Sequence, residues 1–275
     1  MRLWIKAVAL AAVTALAGCA GAPTQRVVTD VSIGSGQTVR GAFTGGAVPL
    51  FGDTAPHVWT SGHPYNLPVH GVDVARYQGD VNWPLARQSG VSFAFIKATE
   101  GGDYVDPMFR RYWAETRAAG IPRGAYHFYY FCRRGAEQAA WFIANVPRER
   151  GALPPVLDLE WNSHSRTCRY RPTPAEVQRE VAIFIDIVTR HYGQRPVIYT
   201  TVDFYRDTGV RNINAEFWLR SVADHPRGTY PGQRWTFWQY TGTGTAPGFR
   251  GNVDLNAFAG SRAQWNRWLA MRMQR

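Results

Sequence analysis

Pro154-Pro155-Val156-Leu157-Asp158-Leu159-Glu160-Trp161 sets two carboxylates inside an apolar run directly after a proline pair. The Pro-Pro step ends whatever regular structure precedes it. In an extended strand alternate side chains share a face, so Val156, Asp158 and Glu160 point one way and Leu157 and Leu159 the other. A rise of ~3.3 Å per residue sets the two carboxylates roughly 6.5–7 Å apart along the strand. Two neighbouring acids in a buried sheet must be solvated, paired or protonated. Burial and mutual repulsion also raise a carboxyl pKa, leaving an acid that still holds its proton near neutral pH. A D-x-E on a solvent-exposed strand is the plain alternative, and the surrounding chain decides between the two.

Apolar runs recur on both sides of this stretch. Val69–Val74, Val91–Thr99, Gly124–Phe131, Pro155–Trp161, Pro196–Thr200, Phe217–Leu219, Trp235–Tyr240 and Val253–Leu255 read as strands. Helices are predicted between the earlier ones. The first runs from Asp106-Pro107 to Ala119, ended by Gly120 and Pro122, and the second from Ala136 to Val146, closed before Pro147. The third opens at Thr173-Pro174, with Glu176 at the capping-box spacing, and ends at Tyr192-Gly193. Its Val177, Val181, Phe184, Ile185 and Val188 fall at helical spacing and form a core face. Strands alternating with helices argue a parallel sheet with right-handed crossovers, and eight strands close a (β/α)-barrel. The last three strands lie too close together for long helices between them. The expected fold is therefore α/β: an irregular TIM-like barrel whose final helices are short or missing.

Functional groups of such barrels come from the C-terminal ends of the strands. That rule selects Asp73, Glu100, Tyr126 to Tyr129, Asp158, Glu160, Tyr199, Trp238, Gln239 and Asp254. Acids and aromatic rings converging on one mouth suit carbohydrate cleavage, with carboxylates for proton transfer and rings to stack on sugar faces. The 14 % aromatic content points the same way, although buried aromatics are the ordinary case.

At these positions the sequence resembles family 25 of the glycoside hydrolases, the Chalaropsis-type lysozymes that act as N-acetylmuramidases on peptidoglycan. The resemblance rests on Gly71-Val72-Asp73-Val74, Phe95-Ile96-Lys97-Ala98-Thr99-Glu100-Gly101, Gly124-Ala125-Tyr126-His127-Phe128, Asp158-Leu159-Glu160, Trp238-Gln239-Tyr240-Thr241 and Val253-Asp254-Leu255-Asn256. Each motif is weak alone; six in order are strong. The resemblance implies a barrel with its last helices missing or short, matching the crowded final strands. It makes Glu160 the general acid that protonates the oxygen between N-acetylmuramic acid and N-acetylglucosamine. Asp158, Asp73 and Asp254 become the other site carboxylates. It also implies retention with substrate assistance, in which the 2-acetamido oxygen attacks the anomeric carbon while Asp158 orients it. Tyr126, Tyr129, Tyr199 and Trp238 are candidates for the sugar site together with Glu100 and Gln239. Lys97 is a candidate electrostatic brace for the carboxylates, and His127 is expected to be a packed histidine. The alternatives are a same-fold hydrolase of another amino-sugar polymer and a non-catalytic peptidoglycan-binding envelope lipoprotein.

The N-terminus speaks to location. Arg2 and Lys6 precede an apolar run, Ala7–Ala17, that is short for a bilayer span. Leu16-Ala17-Gly18-Cys19 resembles a bacterial lipoprotein signal, with residues 1–18 removed and Cys19 lipidated; a plain secretory peptide is the alternative. Ala20 follows, with no aspartate to retain the protein at an inner membrane, so an outer membrane facing the periplasm is expected. Residues 19–68, with Gly34-Ser35-Gly36, Gly45-Gly46 and several prolines, read as anchor and flexible lead-in, with Val27–Ile33 and Val48–Phe51 as strands that could pair. The catalytic barrel then spans 69–275.

Losing Arg2 and Lys6 takes the formal charge from +11 to +9, which suits anionic envelope polymers or membrane surfaces. No basic run interleaves with a nucleic-acid motif, so nucleic acid is not an expected partner. Cys132 and Cys168, an even pair in an exported chain, read as a disulfide rather than two free thiols. No His/Cys cluster has metal-ligand spacing, and Gly242 and Gly244 lack the strand-to-helix setting of a phosphate loop; no metal and no cofactor are expected. The expected partners are peptidoglycan glycan strands and, through its lipid, the membrane; the protein is expected to be a monomer.

Overall fold

The structure, a computed structural model, describes residues 31–33, 37–39, 49–163 and 165–274. The expected signal sequence and Cys19 lie outside them. Eight strands close a barrel: β1 (His70–Val74), β2 (Val91–Glu100), β3 (Arg123–Phe128), β4 (Val156–Leu159), β5 (Val197–Thr200), β6 (Phe217–Arg220), β7 (Phe237–Thr245) and β8 (Val253–Phe258). β1 to β7 run parallel, each paired with the next. β8 corrects the all-parallel expectation, being antiparallel to both β7 and β1. The cause is chain length. Only residues 246–252 separate β7 from β8, and a parallel return needs a crossover of about a dozen residues or more. The connection is a reversal, so β8 closes the barrel upside down.

Helices cover the outside unevenly. α1 (Trp83–Gln88), α2 (Phe109–Ala118), α3 (Gly135–Asn145) and α4 (Pro174–Tyr192) follow β1 to β4. α4 begins as its sequence predicts: the Thr173 hydroxyl accepts from the Glu176 N–H, and Gly193 ends it in the left-handed region at φ 69°. The capping box is only half made, because the Glu176 carboxylate accepts from the Tyr170 hydroxyl at 2.8 Å instead. After that the cover thins to α5 (Val202–Thr208) and the single turn α6 (Pro226–Thr229). α7 (Arg262–Arg272) has a different task. Trp265 and Trp268, stacked at 5.4 Å, join Phe93, Phe237 and Phe258 in the barrel interior and plug the end opposite the strand-four acids.

The β7–β8 reversal leaves one flank of the barrel without a helix. Residues from 49 onward cover it. Gly52–Asp53 pairs antiparallel with Gly244–Thr245, Phe51 is buried, and Trp59 meets Trp238 edge-on at 5.1 Å. Further upstream Val31–Ile33 pairs with Gln37–Val39. Cys132 and Cys168 form the disulfide the sequence suggested. It closes 36 residues of chain, worth about 3–4 kcal/mol in the chain-entropy account.

Candidate active site

Strand alternation sorts the barrel into two layers. Asp73, Lys97, Tyr126, Phe128, Asp158, Glu160, Tyr199, Trp218, Gln239 and Asp254 line one cleft at the barrel mouth. Their sequence neighbours Val72, Ile96, Ala125, Leu157, Leu159, Ile198, Leu219, Trp238 and Leu255 belong to the outer core. Glu160 stands one residue past β4, at the lip. Asp254 reaches the same mouth from the beginning of its strand rather than the end. β8 runs backwards, and its Asp254 sits directly opposite Asp73 of β1.

The floor of the cleft is a single hydrogen-bonded chain. The Tyr199 hydroxyl donates to Gln239 Oε1 at 2.8 Å, and Gln239 Nε2 donates to Asp73 Oδ2 at 3.0 Å. Asn256 Nδ2 donates to the same oxygen at 2.7 Å, while its Oδ1 accepts from the Trp218 indole, also at 2.7 Å. Asp73 and Asp254 face each other across β1 and β8. Burial raises both; Asp254 is pushed up to about 9 by burial and then by Asp73, whereas the two amide donors on Asp73 favour its anion.

Asp158 is buried, and its Oδ1 has no hydrogen-bond partner among the described residues. Burial, and after it the Glu160 charge, raise its pKa well above the ordinary carboxylate range. Burial also pushes Glu160 up to about 7, with Asp203 and Asp73 adding to the rise and Arg220 and Lys97 opposing it. Such a group is a proton donor poised at neutral pH. Because the donor form is the neutral one, cleavage should fall roughly tenfold per pH unit above about pH 7. A pH profile of kcat/KM on soluble glycan fragments checks this, and a limb near pH 4.5 instead would show that Glu160 titrates as an ordinary exposed carboxyl.

The remaining sequence candidates divide. Lys97 lines the cleft, with Nζ 2.6 Å from Glu100 Oε2 and 4.7 Å above the Phe128 ring. Glu100 itself lies behind Lys97. A register shift between Lys97 and Thr99 brings it beside Phe128, where it also accepts from the Tyr130 hydroxyl. Two further residues, like Glu100, do not line the cleft. Tyr129 packs outward among His127, Phe131 and Phe184, and the Trp238 indole donates to the Ser221 carbonyl beneath Trp59 and His225. Both have the wrong parity: Tyr129 follows inward Phe128, and Trp238 precedes inward Gln239. His127 is a packed histidine as expected, bonded to Thr99 and Gln138 and lowered to about 4 by burial. The sequence reading passed over Trp218 and Asn256 and left Phe128 within the undivided run Tyr126 to Tyr129; alternation would have found all three. Phe128 is two residues after Tyr126, and Asn256 two after Asp254. Arg220, two after Trp218, bears electrostatically on Asp73, Glu160 and Asp254.

A mixed barrel with four acids and aromatic rings at its mouth suits carbohydrate cleavage. The family model described as "Glycosyl hydrolases family 25" matches residues 72–249. The chain is 37 % identical over 208 residues to "Lysozyme M1" of Streptomyces globisporus, covering 71 % of this chain and 69 % of that one. It is 32 % identical over 208 residues to the "N,O-diacetylmuramidase" of a Chalaropsis species, covering 70 % and 92 %. Among solved structures, a family 25 glycosyl hydrolase from Bacillus anthracis superposes with a TM-score of 0.69 at 34 % identity, over 78 % of this chain and 98 % of that one. This chain belongs to glycosyl hydrolases family 25.

Proposed function

We propose that the protein is a muramidase that hydrolyses the β-1,4 bond between N-acetylmuramic acid and N-acetylglucosamine in peptidoglycan, with retention and acetamido assistance. The observation that carries this reading is the pairing of a proton donor raised to about 7, Glu160, with a buried carboxylate oxygen on Asp158 that has nothing to accept. A sugar acetamido N–H in the cleft supplies the missing donor. Its hydrogen bond favours the Asp158 anion and drives the proton that the pair holds onto Glu160. Glu160 then protonates the departing glycosidic oxygen as the acetamido carbonyl oxygen closes on the anomeric carbon. Asp158 balances the positive charge of the resulting oxazolinium. Water, deprotonated by Glu160, reopens that ring from the face the leaving group vacated, which restores the acid and retains configuration. The Asp73–Asp254 pair faces the same space, where negative charge on it complements the cationic transition state.

Digestion of purified peptidoglycan, borohydride reduction and mass spectrometry of the fragments test the bond cut. Muramitol at the new ends is expected; glucosaminitol ends or intact strands would refute the proposal. The intact acid set disfavours a non-catalytic wall-binding role, since an unpaired buried carboxylate is costly to a protein that only binds. We further propose anchorage through lipid on Cys19, at an outer membrane facing the periplasm. Radiolabelled palmitate should enter the native chain and not a Cys19→Ser variant; equal labelling would dismiss the anchor.

A further inference from the structure

A second groove opens beside the catalytic cleft, along the segment tied down by Cys132–Cys168. It is lined by Tyr130, Phe131, Trp161, Arg169, Tyr170 and Arg171. It adjoins the first site. Trp161 follows Glu160 directly, and the Tyr130 hydroxyl holds Glu100, which holds Lys97 of the cleft. The segment is ordered by its own bonds. Ser165 Oγ accepts from the Cys168 N–H at 2.9 Å, the Ser165 carbonyl accepts from Arg169 Nε at 2.8 Å, and the Cys132 N–H points at Cys168 Sγ at 3.2 Å.

The charge here is cationic, with Asp207 the nearby acid that Arg171 bears on. Arg169 and Arg171 are exposed, and among the described residues neither forms a salt bridge with any acid. The Arg171 guanidinium rests 4.8 Å over the Trp161 ring, which favours that placement. The acids at the edges are already engaged. Glu176 accepts from Tyr170, while Asp207 accepts from the Trp161 indole and pairs with Arg206. Two guanidiniums above an aromatic floor match an acidic, partly apolar chain, since arginine binds carboxylates in a bidentate fork. A bare glycan strand carries only the lactyl carboxylate of each muramic acid, close against the sugar; a substituted strand has that group amide-linked and bears its carboxylates further out, along the stem peptide.

We propose that this groove is a recognition site for the carboxylate-bearing stem peptide of the strand being cut, making the enzyme select peptide-substituted glycan. The inference rests on the muramidase reading, and the test separates the two. Wild type and an Arg169→Ala/Arg171→Ala variant are assayed on intact sacculi and on sacculi stripped of peptides by an amidase, with the lactyl carboxylates so freed capped as amides. Sedimentation with both materials follows binding without cleavage. Wild type should favour intact sacculi on the order of tenfold in kcat/KM, the scale of one good charge-assisted contact. The variant should lose most of that preference, with a much smaller loss on stripped strands, and 0.5 M salt should erode the wild-type preference. Equal action and equal sedimentation of wild type on both materials would overturn the groove, as would a variant weakened equally on both. Retained peptide-dependent sedimentation without any glycan cleavage would instead overturn the muramidase reading and leave the groove standing.

Discussion

Glu160→Gln is expected to lower kcat by about 10²–10⁴, the range that general acid–base catalysis supplies, with KM nearly unchanged. Glutamine keeps the shape and cannot release a proton to the glycosidic oxygen, so binding survives and bond cleavage does not. The same substitution should make the fold more stable above neutral pH. In the native cleft the Glu160 carboxyl titrates at about 7, against 4.5 for an ordinary glutamate. Between those values the folded chain holds a proton that the unfolded chain has released. The favourable contribution is complete below pH 4.5 and lost as pH rises through 7, leaving a penalty of about 3 kcal/mol at pH 8. Urea unfolding of both proteins at pH 4 and pH 8 reads this directly. The variant should gain at pH 8 and match wild type at pH 4. Wild-type turnover in the variant would remove Glu160 from the acid role, and an unchanged unfolding midpoint at pH 8 would contradict its burial.

Asp158→Asn should cost about 10²–10³ in kcat, as removal of a preorganised charge partner does elsewhere. The asparagine carbonyl can still accept the acetamido N–H, so substrate continues to bind. What it lacks is the negative charge that balances the oxazolinium as it forms. The loss should thus appear in kcat rather than KM, and the few products formed should still be the retained anomer by NMR of the first-released fragments. Activity within a few-fold of wild type would rule out Asp158 as the charge partner. An inverted first product from the wild-type enzyme would reject acetamido assistance altogether.

The two residues misplaced by the sequence reading, Tyr129 and Trp238, show how far one-dimensional reasoning reached. Choosing residues near strand ends found the right end of the barrel. It did not apply to every strand the alternation that had placed Asp158 and Glu160 on one face. Applied to β3 and β7, alternation sends Tyr129 and Trp238 outward; applied to β6 and β8, it brings in Trp218, Arg220 and Asn256. That information was present in the chain. The position of Glu100 was not, because the register shift after Lys97 depends on how β2 meets β3, and no local pattern encodes it.

By itself the sequence determined the eight strands, the disulfide partners and the D-x-E face, because these depend on period, spacing and compartment. Only the tertiary structure decided that β8 runs backwards, that residues from 49 onward cover the flank this leaves bare, and that α7 plugs the barrel. It also left Asp158 with an unpaired oxygen while satisfying Asp73 twice over. These outcomes depend on which distant groups share one small volume, and that is settled by chain closure and packing, not by any run of neighbouring residues.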